Sequence, residues 1–293
     1  MSIFTGSAVA IVTPFKEDKS IDYKAYERLL AFQLENSSDA IVVCGTTGES
    51  ATLTDTEQED LIKFTVKKIE GKVPVIAGCG SNNTAHAIHL TKQAQKAGAA
   101  AIMQVTPYYN KATARGLINH FTEIAKNTTL PIMLYNVPGR TSCNMSAQVV
   151  FELSKVSNIV CVKEASGDMT QIAEISKLCP EGFDIYSGND DQVVPIMSLG
   201  GKGVVSVVAN IAPGAMHDMC SEYLKGSVNN ALKIQLDTFN LYKACFIELS
   251  PAPVKAALEM MGLCGGVLRS PMYPVNEDSR EAIRSVLRSY KLI

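Results

Sequence analysis

Short apolar runs punctuate the first three quarters of the chain, and the stretches between them change period. The runs occupy residues 8–12, 40–44, 73–77, 100–105, 131–135, 159–162, 184–186 and 203–207, eight in all. Brief runs rich in β-branched residues read as buried strands. Between them the apolar positions return every three or four residues, as in Tyr26, Leu29, Leu30, Gln33 and Leu34 or Leu61, Ile62, Thr65, Val66 and Ile69. That spacing predicts amphipathic helices, several opened by a polar cap such as Thr54 or Ser146.

Regular alternation of strand and helix implies parallel strands joined by right-handed crossovers, and eight such units predict closure into a (β/α)8 barrel. An open doubly wound sheet is the alternative. It is disfavoured because no G-x-G-x-x-G opens the first helix and no G-x-x-x-x-G-K-[ST] occurs. From about residue 225 the strand runs stop, and helical stretches are expected at 228–248, 253–261 and 276–290. The expected organisation is therefore a barrel domain, 1–224, followed by a helical C-terminal domain, 225–293.

In such a barrel, chemistry collects where strands end and βα loops begin. Those positions carry Thr13, the segment 45–49 (G-T-T-G-E), Gly78, Tyr108 and Tyr109, Tyr135 and Asn136, Lys163 and Glu164, Gly188 and Ser206. Lys163 stands out because it closes the apolar run Ile159, Val160, Cys161, Val162. Burial there disfavours the ammonium form, and a neutral amine in a pocket attacks carbonyls. The competing reading is a lysine that reaches out of the strand end to pair with Glu164 or another carboxylate.

Gly45 to Gly48 sets two hydroxyls and several backbone N–H groups between glycines, which suits a carboxylate but also describes a plain tight turn. Tyr109 and Tyr135 offer phenols able to pass protons, or core tyrosines with one satisfied hydroxyl. Arg140 follows a Pro-Gly turn, and its planar fork binds carboxylates bidentately, unless it is simply solvated. His86 and His89 are spaced i, i+3 on an outer helix without an evident third ligand, so no metal site is expected. His120 and His217 are isolated, and no G-x-S-x-G turn supports a serine nucleophile.

Composition narrows the partners. A net charge of −2 over 293 residues, with no long block of one sign, gives no footprint for nucleic acid or an anionic membrane. No stretch approaches the roughly 18 uninterrupted apolar residues of a membrane span, and the first fifteen residues lack a basic region ahead of their apolar stretch. A cytoplasmic protein acting on small molecules is expected. The eight scattered cysteines contain no C-x-x-C pair and read as reduced core residues.

Three segments, G-T-T-G-E at 45–49, Y-N-V-P-G-R-T at 135–141 and V-K-E-A-S-G-D at 162–168, are together similar in order and spacing to the 4-hydroxy-tetrahydrodipicolinate (dihydrodipicolinate) synthases. These belong to the pyruvate-dependent Schiff-base aldolases and lyases, which include N-acetylneuraminate lyase. The resemblance spans nearly the whole chain. It implies a cofactor-free enzyme of lysine and diaminopimelate biosynthesis, in which Lys163 forms an imine with pyruvate and Arg140 receives the carboxylate of aspartate 4-semialdehyde. It further implies a proton relay of Thr46, Tyr135 and Tyr109, a pyruvate-carboxylate contact at Thr47, and pocket walls at Gly188 and Val205. Tyr109 is expected to serve a neighbouring subunit in a homotetramer built as a dimer of dimers.

In lysine-inhibited members, an effector site lies at positions that correspond here to Ser50, Ala51, Asp55, Gln58, Asn82, His86 and Tyr108. His86 stands where an acidic residue is expected, which predicts weak or absent lysine feedback. Two other readings remain open: a sugar-acid or N-acetylneuraminate type aldolase, and a non-catalytic barrel that binds a 2-oxo acid.

Overall fold

The computed structural model of the protein describes residues 2–293. Eight strands, β1 (Gly6–Ala10), β2 (Ala40–Val43), β3 (Val75–Gly78), β4 (Ala101–Val105), β5 (Ile132–Asn136), β6 (Ile159–Glu164), β7 (Asp184–Ser187) and β8 (Gly203–Ser206), close in chain order. Every neighbouring pair is parallel, including β1 with β8. The expected (β/α)8 barrel is thus the architecture found.

Alternation along each strand sorts side chains into two apolar layers. Ala8, Ala10, Val42, Ile76, Met103, Met133, Tyr135, Cys161, Tyr186 and Val205 belong to the small inner cluster. Val9, Ile41, Val43, Ile102, Leu134 and Val162 face the outer helices. Phe4, just before β1, stacks on Tyr186 with ring centroids 4.3 Å apart. Inner residues at the strands' C-terminal ends are thereby left as the candidates for chemistry.

The helices begin at the caps their sequences announce. In α1 (Tyr23–Glu35) Asp22 caps the first turn, and in α2 (Asp55–Ile69) Thr54 and Glu57 form a reciprocal capping box. The succeeding helices are α3 (Thr84–Lys96), α4 (Ala114–Ala125), a single turn α5 (Pro138–Thr141), α6 (Ala147–Ser154), α7 (Met169–Leu178), α8 (Val193–Ser198) and α9 (Pro213–Leu224). Ser146 caps α6 as expected. All eight cysteines are free, and only Cys179 is not fully buried.

Two boundaries differ from expectation for physical reasons. The first strand starts at Gly6, because Gly6 and Ser7 pair with Gly203 and Val204. Ile11 and Val12 are buried but lie beyond it; Val12 donates instead to Asn210 Oδ1 at 3.1 Å. The helix expected over 228–248 is two helices, α10 (Val228–Asp237) and α11 (Phe239–Cys245). Thr238 marks the break, its hydroxyl donating to Ile234 O at 2.8 Å and to Gln235 O at 3.3 Å. There the backbone opens to ψ 0°, which ends α10 and begins α11.

The remaining helices are α12 (Ala252–Met260) and α13 (Glu277–Ser289), the latter capped by Asn276. Leu241, Val254, Leu258, Ile283 and Leu287 join the apolar layer that packs on the barrel.

Candidate active site

Lys163 occupies the next-to-last position of β6, in register with Tyr135 on β5 and Tyr186 on β7. It is 5% exposed, and its Nζ lies 4.1 Å from the centroid of the Tyr135 ring. An aromatic face attracts the ammonium form electrostatically without supplying a hydrogen-bond acceptor that would occupy the amine. Glu164 is no partner for it. Strand alternation turns Glu164 outward, where it accepts from Asn136 Nδ2 at 3.1 Å, Gln171 Nε2 at 3.2 Å and the Ser166 N–H at 2.8 Å. Burial raises the Glu164 pKa above the ordinary carboxylate value against those hydrogen bonds. The competing reading of a lysine reaching out to Glu164 is therefore not the arrangement found.

Gly188, in the loop after β7, lies against Lys163. A Cβ there would fall 2.7 Å from Ala165 Cβ and 3.1 Å from Lys163 Cε, so a larger residue would displace the lysine stem. Beyond it, the buried Asp190 accepts from Ser206 Oγ and from the backbone N–H groups of Val207 at 3.0 Å and Val208 at 3.3 Å. Burial pushes its carboxyl up to about 6, opposed by those hydrogen bonds and by the charge of Lys163. Asp190 thus ties the loop after β7 to the end of β8, next to the buried Val205.

A cavity of about 410 Å³ opens at this end of the barrel, and Gly45, Thr46, Tyr135 and Arg140 are among the residues lining it. Lys163, Thr47, Gly188 and Val205 are not among the lining residues; the Lys163 amine stands over the ring of Tyr135, which is one of them. Thr46 is half-buried and Thr47 buried within a tight turn in which Gly48 N–H donates to Gly45 O at 3.1 Å. Arg140, on the single turn α5, donates from Nη2 to Ser250 O at 3.0 Å and is otherwise turned to solvent and cavity.

Tyr109 behaves differently. Its neighbour Tyr108 lines the cavity, whereas Tyr109 is 92% exposed with a backbone φ of +71°. Left-handed backbone also occurs at Cys44, Glu49 and Ser142, all in loops around the same mouth. Such conformations cost free energy and persist only where the surroundings enforce them.

The cavity continues past Ser50, Ala51, Gln58, Asp55 and His86. Asn82 closes this end by donating to Tyr108 O at 3.2 Å, and Gln58 donates to Ser50 O at 3.1 Å. All seven positions singled out for an effector therefore gather in one place. His86 Nε2 sits 3.0 Å from Asp55 Oδ1, and His89 Nε2 3.6 Å from Asp55 Oδ2. The carboxylate is thus at the start of α2 and the imidazoles are on α3, with His86 where an acidic residue is expected.

Two residues with evident structural roles here escaped notice in the sequence. Glu49 was visible only as the end of G-T-T-G-E, and Lys255 not at all. The available signal was a lysine inside the apolar run Pro253, Val254, Lys255, Ala256, Ala257, Leu258, which is the pattern that drew attention to Lys163.

A parallel barrel with a buried, π-faced lysine at a strand end and an arginine at the cavity rim defines a class, the lysine Schiff-base lyases. The sequence profile of the dihydrodipicolinate synthetase family matches residues 3–290, and the chain belongs to that family. It is 52% identical to a 4-hydroxy-tetrahydrodipicolinate synthase of Thermoanaerobacter sp. (strain X514), covering 100% of this chain and 99% of the relative. Among solved structures it is similar to a monomeric dihydrodipicolinate synthase variant, with a TM-score of 0.98 and 42% identity over 99% of this chain and 98% of the other. It is also similar to the chloride-inhibited dihydrodipicolinate synthase of Acinetobacter baumannii complexed with pyruvate, with a TM-score of 0.97 and 40% identity over 99% of each chain.

Proposed function

We propose that Lys163 carries the condensation of pyruvate with L-aspartate 4-semialdehyde to 4-hydroxy-tetrahydrodipicolinate, the reaction of this family in lysine and diaminopimelate biosynthesis. The observation that carries the assignment is the Lys163 amine, buried at the strand end over the Tyr135 ring and without Glu164 as a partner. The neutral amine adds to the keto carbon of pyruvate and water leaves, giving a protonated imine. That imine withdraws electrons, so a methyl proton departs and an enamine forms. The enamine carbon then bonds to the aldehyde carbon of the second substrate. The amine of that substrate attacks the imine carbon and displaces Lys163, so one water is released per turnover and the enzyme is regenerated.

The other site residues serve this sequence. Thr46, Tyr135 and Tyr109 pass the protons, and Thr47 holds the pyruvate carboxylate. Arg140 receives the carboxylate of the semialdehyde, while Gly188 and Val205 shape the wall beside the imine. An arginine fork suits that task because two parallel N–H donors match two carboxylate oxygens. The exposure and strained backbone of Tyr109 support a role in the site of a second subunit, which makes a homodimer the minimum assembly; the dimer of dimers is what the family resemblance implies. We assign the activity to the cytoplasm on the strength of the family's biosynthetic reaction. Among the described residues no helix is long and apolar enough to cross a membrane.

Coupled oxidation of NADPH by dihydrodipicolinate reductase tests the reaction. Oxidation that requires this protein and both substrates is expected. A folded sample that forms a pyruvate adduct but gives no coupled oxidation would redirect the second substrate toward sugar acids. Lysine feedback should be weak or absent, because position 86 carries a histidine in place of the carboxylate that would meet an effector's α-ammonium group. Saturable inhibition in a millimolar lysine titration would refute that expectation.

A further inference from the structure

We propose that Lys255 and Glu49 are positioning residues for the pyruvate-carboxylate turn at 45–48, so that the C-terminal helices hold the first substrate's binding loop in shape. This inference rests on the Schiff-base reading above.

Lys255 lies on α12, outside the barrel and 206 residues from Glu49, yet both are buried at the mouth. Its Nζ donates to Glu49 Oε1 at 2.6 Å and to Thr13 O at 2.9 Å, and it stands 4.4 Å from the Phe15 ring centroid. The second oxygen of Glu49 accepts from the Arg269 backbone N–H at 3.1 Å. Both carboxylate oxygens are thus held by the segment that follows the barrel.

The connection to the turn is direct. Glu49 is the residue after Gly48, its φ is +54°, and its N–H donates to Thr46 O at 3.1 Å. On the other side Thr13, whose carbonyl Lys255 holds, donates from its hydroxyl to Gly48 O at 2.7 Å. One ammonium therefore reaches both anchors of the turn carrying Thr46 and Thr47. A left-handed glutamate persists only where its surroundings enforce it, and this ion pair supplies the enforcement.

Stability alone does not call for such a pair. Well-packed apolar residues replace buried ion pairs with little loss, whereas removing one partner strands a charge. What an ion pair adds is direction: fixed donors and acceptors that orient a loop. The same segment also closes the cavity through Ser250, Pro251, Pro271 and Met272.

Lys255→Met, Glu49→Gln and the double variant separate positioning from structural support. Two quantities are read: the melting temperature, and the pyruvate concentration giving half-maximal borohydride trapping on Lys163. Each single variant should melt earlier and need at least about tenfold more pyruvate, since small displacements of a binding loop cost one to two orders of magnitude. KM for the semialdehyde should move much less. The double variant should recover most of the melting temperature while its pyruvate requirement stays raised.

Recovery of both quantities together in the double variant would overturn the proposal, leaving the pair purely structural. An unchanged pyruvate requirement in any folded variant would also overturn it. Should the single variants fail to fold, the double variant alone decides. Absence of a borohydride-trapped adduct in the unmodified protein would overturn the Schiff-base reading and this inference with it.

Discussion

Lys163 and Lys255 are both lysines inside apolar runs, both buried, and both over an aromatic ring, at 4.1 Å and 4.4 Å from its centroid. They differ in what else surrounds the amine. Lys255 has a carboxylate at 2.6 Å and a carbonyl at 2.9 Å, whereas Glu164, the carboxylate adjacent to Lys163 in sequence, points to the opposite face of the sheet. Burial holds the Lys255 pKa below the ordinary lysine value, with Glu49 working against that shift. A satisfied amine is committed to structure; an amine over a π face with no hydrogen-bonded partner among the described residues is available for bond formation. Burial brings a lysine to attention, and its partners decide what it does.

The comparison breaks most sharply at Lys163. Lys163→Ala should abolish the borohydride-trapped pyruvate adduct and reduce condensation by about 10⁴-fold or more, the scale expected when a covalent nucleophile is lost. Persistent labelling of that variant would move the nucleophile elsewhere. At Lys255 the dominant loss should be in stability. Lys255→Met strands the buried Glu49 carboxylate, with an expected cost of about 3–5 kcal/mol that denaturant titration would read. A cost below about 1 kcal/mol would show that the pair is more solvated than its burial implies.

Tyr109 tests whether an exposed side chain can belong to the same site. Tyr109→Phe should lower turnover roughly 10²-fold with the melting temperature unchanged, as expected for a lost proton-transfer group. Unaltered turnover would remove it from the relay.

His120 supplies the smallest test, a buried base with no carboxylate partner among the described residues. Its Nδ1 lies 2.9 Å from Thr84 Oγ1, and its buried Nε2 has no partner among the described residues. Burial pushes its pKa down to about 4 from an ordinary 6.5. Below 6.5 the unfolded chain takes up a proton that the folded chain refuses. The stabilising contribution is therefore complete above pH 6.5 and is lost as pH falls toward 4, by an amount on the order of 2 kcal/mol. His120→Gln should flatten the melting temperature between those limits; an unchanged slope would assign the acid sensitivity to other groups.

Much of this molecule was legible in the order of its residues. The apolar runs found all eight strands to within two positions, because a strand buried on both faces has no polar alternation to blur it. The helix over 228–248 was misjudged because apolar periodicity continues through the break, which lies in the backbone of Thr238 and not in any change of pattern. At the site, Lys163 and the G-T-T-G turn were visible as residue types at strand ends, and Arg140 as an arginine after a Pro-Gly turn. Lys255 presented the same local signal as Lys163 and passed unnoticed, because it lies on a helix after the barrel and nothing nearby in sequence names its partner.

The sequence by itself determined the alternation of strand and helix, the number of units, and which side chains stand at the strand ends. Those properties depend on neighbours a few residues apart, whose periods of two and 3.6 decide which faces are buried. Only the tertiary structure decided that Glu49 meets Lys255, that Asp55 meets His86 and His89, and that Asp190 bridges two adjacent loops. Such pairings arise when closure of the barrel and docking of the last helices bring distant segments within hydrogen-bond range, and each charge then takes its character from the groups it finds there.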